Sequence, residues 1–68
     1  MNFIEWLREF KNVDRPIGDL AKDVLSDSNF PKSNNYNELH DYLLYKARVE
    51  HAVLEVFKAV WKAYKTLI

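Results

Sequence analysis

The sequence predicts an all-α protein, a compact four-helix bundle in which three short helices pack on a long C-terminal one. Three observations carry that prediction. Apolar residues recur with a period near 3.6, no alternating apolar run bounded by turn residues marks a strand, and residues 47–68 contain no Gly or Pro. In that last stretch Val49, Val53, Val56, Val60, Ala63 and Leu67 recur at alternating steps of four and three, and Phe57, Trp61, Tyr64 and Ile68 form a second row beside them. A helix packed on one neighbour needs a narrower apolar stripe. The width implies either the central beam of a small core or a helix part of whose surface meets a partner.

The first helix is expected over residues 3–11. Asn2 can cap it, with Glu5 three residues on as the reciprocal partner of a capping box. Phe3, Trp6, Leu7 and Phe10 then share one side, and Glu5, Arg8 and Glu9 face water. Residues 12–15 connect to a second helix that opens with Pro16, whose missing N–H would have no partner in a first turn anyway. Ile17, Leu20, Ala21, Val24 and Leu25 form its apolar face. Gly18 lowers helix propensity but falls in the first turn, where Asp19 suits the helix dipole.

Residues 27–35 break the pattern with Asp, Ser, Asn, Pro and Lys, side chains that bond locally to backbone in loops. Pro31 holds Phe30 extended. An aromatic residue inside a polar loop reads as an anchor buried against the core. The third helix restarts at Asn35 with Glu38 as capping-box partner, and it sets Tyr36, Leu39, Tyr42 and Leu43 on one face. Between Leu44 and Val49 no residue is a strong breaker. Two outcomes stay open there: a tight turn between helices three and four, or one continuous rod.

Sixty-eight residues make one domain at most, expected to span 1–68, and a chain of this size buries only about 60% of the surface its unfolded form exposes. With no Cys, disulfides, thiolate metal sites and cysteine nucleophiles are excluded. Stability has to come from packing, for which 49% apolar residues and ten aromatic ones (two Trp, four Tyr, four Phe) are a generous supply. Glu5, Arg8 and Glu9 are incompatible with the apolar core of a secretory signal, and no run is long enough to span a membrane. A cytoplasmic location is expected. Net charge is zero but unevenly spread: residues 1–45 hold five Lys or Arg against eight Asp or Glu, a balance of −3, and residues 46–68 hold five against two, a balance of +3. The acidic part is expected either to fold onto the basic helix or to present solvated charge that steers a partner.

Three segments together resemble the YozE-type, SAM-like family of small bacterial proteins: Phe3, Trp6, Leu7 and Phe10; the run Asp27, Ser28, Asn29, Phe30, Pro31, Lys32; and Phe57, Trp61, Tyr64, with Tyr36, Glu38, Tyr42 and Leu43 fitting as well. The resemblance covers nearly the whole chain. It implies a compact four-helix fold similar to sterile alpha motif domains, in proteins found mainly in Gram-positive bacteria and their mobile elements. It implies no biochemical activity and carries over no functional residue. The chain departs from the family pattern near Tyr45 and Lys46, where a turn-forming Asn is missing and the spacing to Phe57 is one residue longer.

Candidate chemistry is sparse. The histidines are His40 and His51. His40 neighbours Asp41, but adjacent helical positions diverge by about 100°. His51 and Glu55 are four apart and share a face, which reads as a surface pair in preference to an acid–base or metal site. With no metal motif, phosphate loop or nucleophile elbow, no enzymatic activity, cofactor or small-molecule substrate is expected. Lys58, Lys62 and Lys65 line the polar side of the last helix, with Lys46 and Arg48 near its start, and they are the candidate nucleic-acid contacts. Glu50, Glu55 and the acidic remainder oppose DNA, so this is the alternative reading. The preferred one is a small non-enzymatic module that binds another protein, or a second copy, through apolar residues left off the core faces. Those are Leu44, Tyr45, Leu54, Leu67 and Ile68.

Overall fold

A computed structural model of the chain describes residues 2–67 and contains four α-helices and no strand among them. They are α1 (Phe3–Arg8), α2 (Pro16–Ser26), α3 (Tyr36–Asp41) and α4 (His51–Leu67), with α3 running on into a π-helical turn (Tyr42–Lys46). α1 and α2 form an elbow whose members contact each other and α4, and α3 also packs on α4. The three short helices thus dock on the long one, as the periodicity predicts. α1, with six residues, is far too short to persist alone in water.

Its N-terminus is held from two directions. Asn2 Oδ1 accepts the Glu5 N–H at 2.8 Å and Glu5 Oε1 accepts the Asn2 N–H at 3.2 Å, completing the expected capping box. The Phe3 N–H, one of the donors a helix leaves unpaired, goes to Asn34 Oδ1 at 2.8 Å, and Asn34 Nδ2 donates to the Tyr64 hydroxyl at 3.2 Å. One loop amide therefore joins the start of α1 to the end of α4. The α-helix proper stops at Arg8 instead of Lys11. Beyond it the N–H groups of Phe10 and Lys11 donate to carbonyls three residues back, the tighter 3₁₀ pattern.

That tightening leads into a backbone-to-backbone contact. A Cβ on Gly18 would lie 1.8 Å from the Val13 carbonyl oxygen and 3.1 Å from that of Phe10. Gly18 is present because the turn between α1 and α2 lies against the first turn of α2, a reason that helix propensity does not reveal. α2 then buries Leu20, Ala21 and Val24, with Ile17 half-buried beside them.

The polar loop behaves as its composition predicts. Asp27 Oδ1 accepts the Asn29 N–H at 2.9 Å, Ser33 Oγ accepts the Asn35 N–H at 3.0 Å, and Asn35 Oδ1 caps α3 through the Glu38 N–H at 3.0 Å. The reciprocal half of the expected second capping box does not form, because the Asn35 N–H is already taken by Ser33. Phe30 is buried and meets Tyr42 edge to face at 5.4 Å, while the Tyr42 hydroxyl donates to Asp27 Oδ2 at 2.7 Å.

Between α3 and α4 the chain takes the tight-turn course. The Ala47 N–H donates to the Tyr42 carbonyl at 2.9 Å and the Val49 N–H to that of Leu43 at 3.0 Å, wider rings than an α-helix closes. Arg48 reverses the direction with φ 53°, the left-handed conformation that usually falls to Gly or Asn. Helix four consequently begins at His51 and not at residue 47.

On α4 the buried residues are Leu54, Phe57, Val60 and Tyr64. Leu54, Phe57, Trp61 and Tyr64 follow steps of three, four and three, so Leu54 extends the aromatic row into the core. Trp61 itself is half-buried and covers the flank of that row. Of the valine row only Val60 is buried; Val49, Val53 and Val56 are half-buried, and Ala63 and Leu67 are exposed.

Replacing Gly18 with Ala tests the elbow. Propensity alone favours Ala by about 1 kcal/mol, whereas a Cβ against a rigid carbonyl predicts a loss of about 3 kcal/mol or more. Urea unfolding of the variant shows which sign holds. Arg48→Gly is expected to stabilise by about 0.5 to 1 kcal/mol, relief of the left-handed strain exceeding the added chain entropy; a loss in the same assay would show that the Arg48 side chain matters more than its backbone. The Asp27 bond raises the Tyr42 phenol above its ordinary value of 10.0, followed by desolvation and the Asp27 charge. The neutral phenol is therefore the form the fold favours, and its contribution is complete below about pH 10 and lost as pH rises past that point. Tyr42→Phe should be less stable than wild type at pH 7, with the gap closing in denaturation curves taken above about pH 10.

Candidate functional site

α2 and α4 diverge enough to leave a groove between them. Its floor is aliphatic, made by Pro16, Leu20, Ala52, Val53 and Val56, and it encloses about 140 Å³. Asp19 and Asp23 form one lip, four residues apart on the same edge of α2. Both carboxylates are exposed, and neither takes part in an ion pair or side-chain hydrogen bond among the described residues. No Lys, Arg or His lines the groove. The half-covered valines are thus the inner wall of an open, acid-edged slot.

The residues singled out in the sequence fare unequally. Leu54, expected beside the lysines on the surface, is 6% exposed and belongs to the core. It continues the step pattern of the aromatic row and joins the same core cluster as Phe57, Leu39 and Leu43. Leu44 is half-buried against the core. Tyr45 and Leu67 are exposed, at 67% and 69%. Tyr45 lies in the π turn before α4 and Leu67 at the end of α4, a helix about 25 Å long. Ile68 lies outside the described residues. Tyr45 does border a shallower depression with Pro31, Glu38, Asp41, Tyr42 and Lys46, which mixes both signs of charge.

On the polar side of α4, Lys58, Lys62 and Lys65 are exposed as expected. Lys58 Nζ is bound to Glu55 Oε2 at 3.1 Å, and this bond, with the lysine charge, holds the Glu55 carboxyl below its ordinary value. Lys62 and Lys65 form no ion pair among the described residues. Among those residues no ion pair links the acidic first part of the chain to the basic helix, so both sets of charge face solvent.

Neither histidine sits in a chemical site. His51 lies 3.9 Å from Glu55 with its side chain 84% exposed. His40 stacks on Tyr36 at 5.7 Å and, despite the angular divergence of neighbours on a helix, its Nδ1 reaches Asp41 Oδ1 at 3.4 Å. Among the described residues no three His, Asp or Glu side chains gather where they could hold a metal ion, and no helix is long and apolar enough to cross a membrane.

Asp19, Asp23, Ala52, Val53 and Val56 were not among the candidate residues read from the sequence. Their signal was nonetheless present: an apolar face on α4 wider than one neighbour can cover, and an i, i+4 acidic pair flanking Leu20. What periodicity lacks is the direction of approach of α2, which decides how much of the valine row stays open.

Comparison with curated proteins and with solved structures gives no significant match. A family model described as the YozE SAM-like fold matches residues 2–66, all but the ends of the chain. The aromatic row, the Phe-Pro-Lys loop and the four-helix architecture agree with that match, and the chain belongs to the YozE SAM-like family.

Proposed function

We propose that this protein is a small, non-enzymatic, cytoplasmic module that binds another protein through the open side of α4. The observation that carries the reading is the half-covered valine row: Val53 and Val56 line a concave aliphatic surface that a domain of this size would be expected to bury in its own core. Concave apolar floors with polar edges are what small anchoring side chains of a partner fill. Tyr45 lies in the π turn before α4, beside a depression that mixes both signs of charge, and Leu67 lies at the end of α4.

The lysines supply the alternative, a nucleic-acid contact by Lys58, Lys62 and Lys65. Glu55 lies within that stripe and engages Lys58, which lowers its net charge. Such binding would be driven by phosphate neutralisation and would be strongest at low salt.

Site-specific photo-crosslinking in the native cell separates the two. A photoreactive residue replacing Ala52, exposed at the groove, should give discrete protein adducts that Val53→Asp reduces. The same residue replacing Lys62, on the lysine side, should give few. Adducts formed mainly from position 62, or adducts that contain nucleic acid, would overturn the reading.

A further inference from the structure

The groove between α2 and α4 also says something about the chemistry of what enters it. We infer that its occupant is a cationic amphipathic segment of a partner protein, with an aliphatic side chain set between Leu20, Val53 and Val56 and Lys or Arg residues against Asp19 and Asp23. This rests on the interaction reading above and adds the chemical class of the partner.

Three observations support it. The first is volume and lining: about 140 Å³ of space walled by Pro, Leu, Ala and Val is close to the roughly 150 Å³ that accepts a benzene-sized apolar group in a buried cavity. It suits a Leu, Ile or Met side chain, and apart from the two carboxylates of its lip it offers no polar side chain to orient a small-molecule ligand. The second is charge. Asp19 and Asp23 stand one helical turn apart, about 6 Å along the axis, both exposed and free of ion pairs among the described residues, with no cation on the groove wall to neutralise them. Basic residues spaced one turn apart on a partner helix match that spacing, and a partner bearing carboxylates there would meet like charge.

The third observation concerns the chain's own basic surface. A second copy could present Lys58, Lys62 and Lys65, but the apolar side chain that flanks them, Leu54, is buried in the core. Exposed Leu67 lies two residues beyond Lys65, about 200° round the helix, and so cannot enter a groove while the lysines face its acidic lip. On α4 the lysines and exposed Leu67 therefore lie on different faces. The lysine face of α4 does not supply the required combination, and the occupant assigned here is a different protein.

Two synthetic helical peptides of about 18 residues test the inference, sharing one Leu stripe and differing only in Lys or Glu on the polar face. Titrated into the isotope-labelled protein, the Lys peptide should shift amide signals of α2 and of the first two turns of α4. Its affinity should fall about fivefold or more in the Asp19→Asn, Asp23→Asn double variant and on raising salt from about 50 to 300 mM, and the Glu peptide should bind about tenfold more weakly. Asp→Asn is nearly isosteric on an exposed helix edge, so the variant is expected to fold, and its unperturbed spectrum away from the groove checks this. Equal binding of the two peptides, shifts centred elsewhere, no binding by either, or undiminished affinity in the double variant would each overturn the cationic assignment. Concentration-dependent self-association abolished by the double variant would assign the groove to a second copy and overturn it as well. Position-52 protein adducts obtained alongside such a failure would leave the interaction reading standing and remove only the partner chemistry; absence of both would remove the two together.

Discussion

Phe3 is the contact on which the rest of the structure depends. Its ring is fully buried and meets Trp61 at 4.9 Å, Tyr64 at 5.5 Å and Phe57 at 5.8 Å, with the last two nearly edge-on. Edge-on and tilted aromatic pairs add about 0.5 to 1.5 kcal/mol each beyond the area they bury. The cluster extends outward through Trp6 to Phe10 on one side and through Phe57 to Tyr36 and His40 on the other. α1 has too few hydrogen bonds to exist without this docking. Once α1 is seated, the position of the elbow follows, and with it the approach of the Val13 carbonyl to Gly18 and the angle at which α2 meets α4. The backbone of the same residue is tied to Asn34, which also reaches Tyr64. Ring and amide of Phe3 together join the N-terminus, the long loop and the C-terminal helix. In a domain that has no cysteine to form a disulfide, that cross-connection takes the place of a covalent staple.

Because the aromatic row and Leu54 occupy the centre of the α4 interface, α2 is left to cover the valine row from one side only. The acidic edge of α2 then lies over the valines it does not reach. Burying Val53 and Val56 completely would stabilise the protein by about 0.8 kcal/mol for each additional CH2 removed from water, a gain that a 68-residue domain lacks. The open groove is therefore an energetic cost built into the packing. Its floor and lip come from two different helices, so the site exists only in the folded arrangement.

Much of this architecture was legible in the sequence, and the parts that were not share a cause. Asn2, Pro16 and Asn35 mark helix starts through side-chain or ring chemistry that acts within three or four residues, and each does what local chemistry dictates. Phe30 was readable because an aromatic residue in a polar loop has few alternatives to burial. The misread features depend on tertiary approach. Gly18 looks like a weak helix residue until Val13 is placed beside it. Leu54 looks like a surface neighbour of the lysines until the core that it shares with Phe57, Val60 and Tyr64 is assembled. Glu38 matches a capping box, but Ser33 reaches the donor first. The junction is the instructive case: no Gly or Asn announces the turn, and the chain reverses at Arg48 by accepting backbone strain after a π turn. A π turn encloses one residue more than an α turn, which lets the end of α3 widen before the chain reverses.

The groove and the stability of the fold are linked. A partner seated against Leu20 on α2 and Val53 and Val56 on α4 bridges the two helices, and it can do so only in the native state. Anything that binds the folded form alone adds RT ln(1 + [L]/Kd) to its stability, about 2.7 kcal/mol at a hundredfold excess over Kd. For a domain this small that is a substantial share of the whole, since marginal stability lies near 0.05 to 0.15 kcal/mol per residue, or about 3 to 10 kcal/mol here. The same coupling runs in reverse. A change that loosens the α1–α2 elbow displaces α2, and with it Asp19, Asp23 and Leu20, from the valines they face. Gly18 thus acts on the groove without touching it, through the close backbone contact that sets where the acidic lip lies.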